Sequence, residues 1–228
     1  LTGWAFVETE EENQDKKVKL IFSSEKQSYE VETELSERKD LTSVLINQNV
    51  PKQKVGIIAY FSPINLKNGI YNLYISVYEN EEAYGIVDTN RTFIKNYRVF
   101  REIIAGEEQP IKDFIRVKPT KELKYYFDKI ELEQDGYLIN GWAFIENQNT
   151  INKKIFLEIY PLKGTPKIYS TNKVERVDVS EYFQNENYNW SGFTAKIPKN
   201  AFIADKNQIT IIINNDYKAD NAYILNLN

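Results

Sequence analysis

Apolar and polar residues alternate with a period of two along most of the chain, in short runs closed by turn residues. In the second half these runs are DKIELE, YLINGWAFIE, KIFLEIYP, PKIYST, KVERVDV, GFTAKIP, NQITIIIN and AYILNL. Short runs of this kind, an Asp135-Gly136 hairpin signal and the lack of any long 3.6-residue period predict an antiparallel β-sandwich. In YLINGWAFIE, Leu138, Trp142 and Phe144 fall on one face, and Ile139, Gly141, Ala143 and Ile145 on the other. A strand apolar on both faces belongs inside its sheet, and the small residues leave room for another layer. One helical signal stands out, DVSEYF, in which Asp178 is expected to cap a short turn with Glu181 reaching back.

The same pattern occurs twice. Gly3-Trp4-Ala5-Phe6-Val7-Glu8 matches Gly141-Trp142-Ala143-Phe144-Ile145-Glu146, and Lys16-Lys17-Val18 matches Lys153-Lys154-Ile155. Glu37-Arg38-Lys39-Asp40-Leu41-Thr42 matches Glu175-Arg176-Val177-Asp178-Val179-Ser180, Gly56-Ile57 matches Gly192-Phe193, and Pro63 lies near the equivalent of Pro198. The apolar run Tyr71 to Tyr78 completes the match with Gln208 to Asn214. Ordered agreement over about 85 residues per copy predicts duplication of a whole domain, not a solenoid unit. The expected fold is all-β, with a first sandwich over residues 1–123 and a second over 124–228. RTFIKNYRVF and KDFIRVKP are expected as further strands of the first domain, and Pro119 with the charged TKE after it as a linker. Copy two has a strand and hairpin before its Gly-Trp, residues 128–140, where copy one has only Leu1 and Thr2. This predicts that the chain is a fragment of a longer protein, or that another segment supplies the strand.

Composition removes several kinds of chemistry. The 228 residues include no Cys and no His, so disulfides, thiolate nucleophiles, Ser/His/Asp triads and Cys- or His-ligated metals are excluded. Carboxylates, Lys, Tyr and hydroxyls remain, which keeps a carboxylate-pair glycosidase as a formal alternative, although no pairing in the sequence compels one. The net charge of -4 carries no basic footprint for nucleic acid. No apolar run is long enough for a transmembrane segment, and the amino terminus lacks signal-peptide regions, so any export signal would have been removed or lie outside this chain. No cofactor and no metal is expected. The Glu8-Thr9-Glu10-Glu11-Glu12 run lacks a Ca²⁺-loop pattern and reads as a solvated turn, and NNDYKADN, residues 214–221, as a polar hairpin loop.

Three sets of residues are candidates for sites. Trp4 with Phe6, and Trp142 with Phe144, are expected in the core between sheets. Arg38 with Asp40, and Arg176 with Asp178, recur two apart on one side of a strand, either as an ion pair bracing the following loop or as groups for sugar hydroxyls. The NENYNWSGF segment occurs only in copy two. There Tyr188 and Trp190 flank Asn189 on a loop and offer apolar faces with polar tips for a pyranose ring, unless Trp190 covers the end of the core.

Gly-Trp-Ala-Phe-Ile/Val, then Arg-x-Asp-Val/Leu-Ser/Thr, then Gly-Phe and a final apolar strand resembles immunoglobulin-like modules with a GWAF signature. These occur in tandem in bacterial envelope proteins, some of which carry glycosyltransferase or teichoic-acid and capsule biosynthesis domains. Copy one departs from the pattern in its leading strand and at Ile57. The resemblance implies a non-catalytic accessory role at the bacterial cell envelope or surface, or on the cytoplasmic face of the membrane, with other domains of the same longer chain as neighbours. A glycan or cell-wall polymer is the expected ligand, and a spacer or oligomerisation module of a larger glycosyltransferase or surface protein is the alternative.

Overall fold

A computed structural model describes residues 2–4, 16–37, 56–79, 82–97, 99–114, 117–161, 164–202, 206–214 and 216–226. The chain forms two compact units, Leu1–Phe100 and Arg101–Asn228, and strands dominate both. Among the described residues, no helix is long and apolar enough to cross a membrane.

The first unit contains β1 (Thr2–Trp4), β2 (Lys16–Ser23), β3 (Ser28–Glu32), β4 (Glu34–Ser36), β5 (Gly56–Ile58), β6 (Gly69–Glu79) and β7 (Glu82–Asn96). The next strand, β8 (Val99–Ile103), runs across the boundary. One sheet has the order β1-β5-β4 and the other β3-β2-β6-β7-β8. In the smaller sheet Gly3 stands opposite Ile57 and Trp4 opposite Gly56, while on the far side of β5 Leu35 stands opposite Ile57 and Ser36 opposite Gly56. Both sheets contribute to a common interior, where Ile57 and Leu35 meet Val18 and Val77. Phe22 anchors the larger apolar cluster, with ring centroids 4.9 Å from Phe61, 5.5 Å from Phe93 and 5.6 Å from Phe100. Tilted and edge-on rings at these separations attract each other beyond the area they bury.

The second unit continues with β9 (Glu108–Gln109), β10 (Lys118–Thr120), β11 (Leu123–Leu132), β12 (Gly136–Ile145), β13 (Ile155–Pro161), β14 (Lys167–Ser170), β15 (Asn172–Val174) and the helix α1 (Val177–Tyr182). Then come β16 (Gly192–Pro198), β17 (Lys206–Ile213), β18 (Tyr217–Ala219) and β19 (Tyr223–Asn226). Its sheets have the orders β11-β12-β16-β15 and β10-β18-β17-β13-β14-β9, with β19 also on β17. Pairing is antiparallel except between β10 and β18, which run parallel. Ile139, Ala143 and Ile145 from β12, with Phe193, Ala195 and Ile197 from β16, meet Leu157 and Ile159 of β13 and Ile209, Ile211 and Ile213 of β17 in one core. The expected hairpin turn is present, with the Glu133 N–H donating to the Gly136 carbonyl at 2.8 Å.

Several expectations are corrected. The units divide at Phe100/Arg101 and not at 123/124. IKDF forms a 3-10 turn, Ile111–Phe114, and not a strand of the first unit. Its Phe114 packs edge-on against Phe156 of β13 at 4.9 Å, which binds this segment to the second unit. Pro119, expected in a linker, lies in the edge strand β10, where a missing N–H is tolerated. NNDYKADN holds the strand β18 and is not merely a loop. KVERVDV stops being a strand after Val174, because α1 begins at Val177. Asp178 lies inside the first turn of that helix, whose N-cap is Arg176 with no side-chain cap bond.

The faces of β12 are also reversed from expectation. Its small and β-branched face enters the core, whereas Phe144 and Trp142 lie on the other face, against Val179 and Tyr188. Alternation shows which residues share a face, but both faces are apolar, so it does not say which one meets the second sheet. Gly141 resolves the choice sterically. A Cβ there would lie 2.7 Å from Cζ of Phe193 and closer still to the Tyr126 carbonyl oxygen, so only glycine lets the Phe193 ring cross the inner face.

Candidate functional site

The outer face of β11-β12-β16-β15 is built row by row. Directly paired residues share a side of a sheet, so Tyr126, Trp142, Gly192 and Val174 form one row across the four strands. The next row contains Lys129, Asn140, Thr194 and Asn172. Between Phe127 and Lys129 the register shifts, and Asp128 is the extra residue of the bulge. Bulges bend a strand and re-aim a side chain. Here the bulge sends Asp128 toward Arg176.

Gly192 makes that meeting sterically open. A Cβ on Gly192 would lie 2.5 Å from the Val174 carbonyl oxygen and 2.6 Å from Cγ of Arg176, so the Arg176 side chain crosses the sheet over this glycine. The guanidinium donates from Nε to Oδ1 of Asp178 at 2.8 Å and from Nη2 to Oδ2 at 2.7 Å, a bidentate pair. Its Nη1 donates to Oδ2 of Asp128 at 2.5 Å. The hydrogen bonds to Asp178, and then those to Asp128, push the guanidinium further up against the opposing effect of burial. The Arg176 hydrogen bond holds the Asp178 carboxyl below the usual carboxylate range. The Arg176 backbone N–H donates to the Asn189 carbonyl at 2.6 Å, tying this residue to the following loop. In the second unit the Arg-x-Asp spacing thus yields an ion pair, placed at the start of a helix and not along a strand.

Asp128, Lys129, Asn140, Gly141, Val174, Arg176, Phe193 and Thr194 line an open depression of about 510 Å³. The Thr194 hydroxyl donates to Oδ1 of Asn140 at 2.6 Å, which leaves the Asn140 amide donors without a partner among the described residues. Beside the depression, near-parallel rings follow one another. Tyr126 and Trp142 lie 6.5 Å apart at 27°, Trp142 and Phe144 5.5 Å apart at 16°, and Phe144 and Tyr188 3.9 Å apart at 14°. Phe183, just after α1, meets Trp142 edge-on at 5.6 Å and Phe144 at 4.9 Å. The inner two rings are buried and the outer ones open to solvent: Tyr188 is 5% exposed and Phe144 1%, Trp142 is half-buried, and Tyr126 is 60% exposed.

Of the loop residues expected to hold a sugar, Tyr188 is interior. It ends the 3-10 turn Glu186–Tyr188, and its hydroxyl accepts the Asn147 N–H at 3.0 Å. Its ring faces Phe144, not solvent. Asn189 contributes its carbonyl to Arg176, and Trp190 is half-buried with its N–H donating to Oγ1 of Thr150 at 3.1 Å. In the first unit Trp4 enters through its backbone pairing with Gly56. Phe6, Arg38 and Asp40 lie outside the described residues. The polar groups that sequence reasoning missed are Asp128, Asn140 and Thr194, and the missed ring is Tyr126. One signal was available for Asn140, the lone polar residue on the Leu138-Trp142-Phe144 face.

No protein-family model, curated protein or solved structure matches the chain. Among the described residues, no group of three or more acidic side chains is placed to hold a metal ion.

Proposed function

We propose that the chain is a non-catalytic accessory module of a bacterial envelope-associated protein, with two immunoglobulin-like β-sandwich units related by duplication, and that the second unit binds a cell-surface glycan. Duplication is supported by register. Gly3 and Trp4 stand opposite Ile57 and Gly56, as Gly141 and Trp142 stand opposite Phe193 and Gly192. Ser36 stands opposite Gly56 as Val174 stands opposite Gly192.

Glycan binding rests on one observation: an exposed ring, Tyr126, ends an aromatic stack beside a depression that offers Asp128, Asn140, Arg176 and Thr194. A pyranose has an apolar ring face and a rim of hydroxyls, so a platform beside a cluster of donors and acceptors suits both. Titration of the chain against bacterial cell-wall polysaccharides tests this, with Tyr126→Ala as the variant because so exposed a ring is not needed for the core. At least a tenfold loss of affinity is expected. Equal binding by the variant, or no binding by either protein, contradicts the proposal. The alternative, a spacer or oligomerisation module, draws on Ile86 and Val87, which stand 61% and 63% exposed in β7. It predicts self-association, which light scattering detects.

A further inference from the structure

We propose that the site on the second unit takes an uncharged pyranose glycan and turns away polyanionic glycopolymers such as polyol phosphates; this rests on the glycan-binding reading above. An arginine in a surface depression would ordinarily attract phosphate, through the match between its fork of donors and the anion's oxygens. Here that fork is already engaged. Asp178 takes Nε and Nη2 at 2.8 and 2.7 Å, and Asp128 takes Nη1 at 2.5 Å. An incoming phosphate would have to displace one carboxylate or lie against both.

The other cation lining the depression is also neutralised. The Lys129 ammonium lies 2.5 Å from the Glu131 carboxylate, and that hydrogen bond raises its pKa. The segment over the outer face deepens the negative balance. Residues 174–191 carry Glu175, Asp178, Glu181 and Glu186 against the single cation Arg176, and all four carboxylate residues are exposed. Charges within a Debye length of about 10 Å at 0.1 M salt act on a ligand in the depression.

A sugar hydroxyl meets no such barrier, because it both donates and accepts. It can donate to the remaining lone pairs of Asp128 and Asp178, and accept from the Asn140 amide or from the guanidinium N–H groups that the two carboxylates leave over. Carboxylates locked in place by an arginine are pre-organised acceptors, so they bind a neutral diol without reorganising. The Tyr126 ring beside them supplies the apolar platform.

The test uses the full chain against two panels: neutral polysaccharides (a glucan, a galactan and a mannan) and polyanions (polyglycerol phosphate, polyribitol phosphate and hyaluronate). Binding to at least one neutral polymer is expected, at least tenfold tighter than to any polyanion and changing less than about twofold between 0.05 and 0.5 M salt, since no counterion release accompanies it. The double variant Asp128→Asn/Asp178→Asn frees the guanidinium. It is expected to lose neutral binding and to gain salt-sensitive polyanion binding. Polyanion binding by the unaltered chain within tenfold of the best neutral polymer overturns the inference while leaving the glycan-binding reading in place. Binding to neither panel overturns both.

Discussion

Trp142 and Trp4 occupy matching places in the strand pairings of the two units, each opposite a glycine, Gly192 or Gly56. The next pair on the same face differs. In the second unit it is Asn140 with Thr194, joined by a 2.6 Å hydrogen bond; in the first it is Thr2 with Ile58. The second unit also lays β11 along the free side of its Gly-Trp strand, and that strand brings Tyr126 and the bulged Asp128. The Gly-Trp motif and its glycine partner therefore set a frame that both units share. The groups proposed to bind a glycan lie around that frame in the second unit. The lysines beside the frame differ in the same way. Lys154 is buried, with its amine pushed down to about 8 mainly by desolvation, whereas the residue matching it, Lys17, is exposed.

The largest expected effect tests the frame. Gly141→Val places branched carbons against Phe193 and the Tyr126 carbonyl, and is expected to cost more than about 4 kcal/mol, enough to unfold the second unit. Gly85→Ala in β7 of the first unit meets no atom within 4 Å and should change stability by less than about 0.5 kcal/mol. Urea unfolding of both variants distinguishes them, and similar midpoints would break the comparison.

Next comes the lysine difference. Lys154 titrates near 8 in the folded chain against 10.5 for an ordinary lysine, so the unfolded chain holds the extra proton between those values. Stability therefore rises with pH across that window, by up to about 3 kcal/mol, and the penalty is fully present below pH 8. Lys154→Met should stabilise the chain at pH 7 and flatten that rise, while Lys17→Met should do neither. Unfolding curves from pH 7 to 10.5 check both statements.

Tyr126→Ala should weaken glycan binding at least tenfold, about 1.4 kcal/mol, with little change in stability. Tyr188→Phe removes the acceptor for the Asn147 N–H, at a residue held at φ 62°, and should cost about 1 kcal/mol of stability while leaving binding unchanged. A Tyr188→Phe variant that unfolds normally but no longer binds would move the site to the 185–190 loop.

The strands of the second unit were legible because period-two runs between turn residues have few other solutions. Even the Asp135-Gly136 turn could be placed. The direction of β12 was not, since Trp142 looks more like a core residue than Ala143 does, and only packing against Phe193 decides between the faces. Asp128 was invisible for a different reason. A bulge is a property of two paired strands, and nothing in DKIELE alone marks its first residue as the one that turns toward Arg176. Tyr188 misled because polar neighbours suggested an exposed loop, whereas a single 3-10 turn rotates its ring onto Phe144. The Arg-x-Asp repeat was the most informative signal, since the ion pair it suggested is the one that borders the depression.

Binding of a neutral polysaccharide measured side by side for Tyr126→Ala and Trp190→Ala, with folding checked by circular dichroism, tests the placement of the site most directly. At least a tenfold loss is predicted for Tyr126→Ala and no change for Trp190→Ala. Loss with Trp190→Ala and full binding with Tyr126→Ala would contradict it.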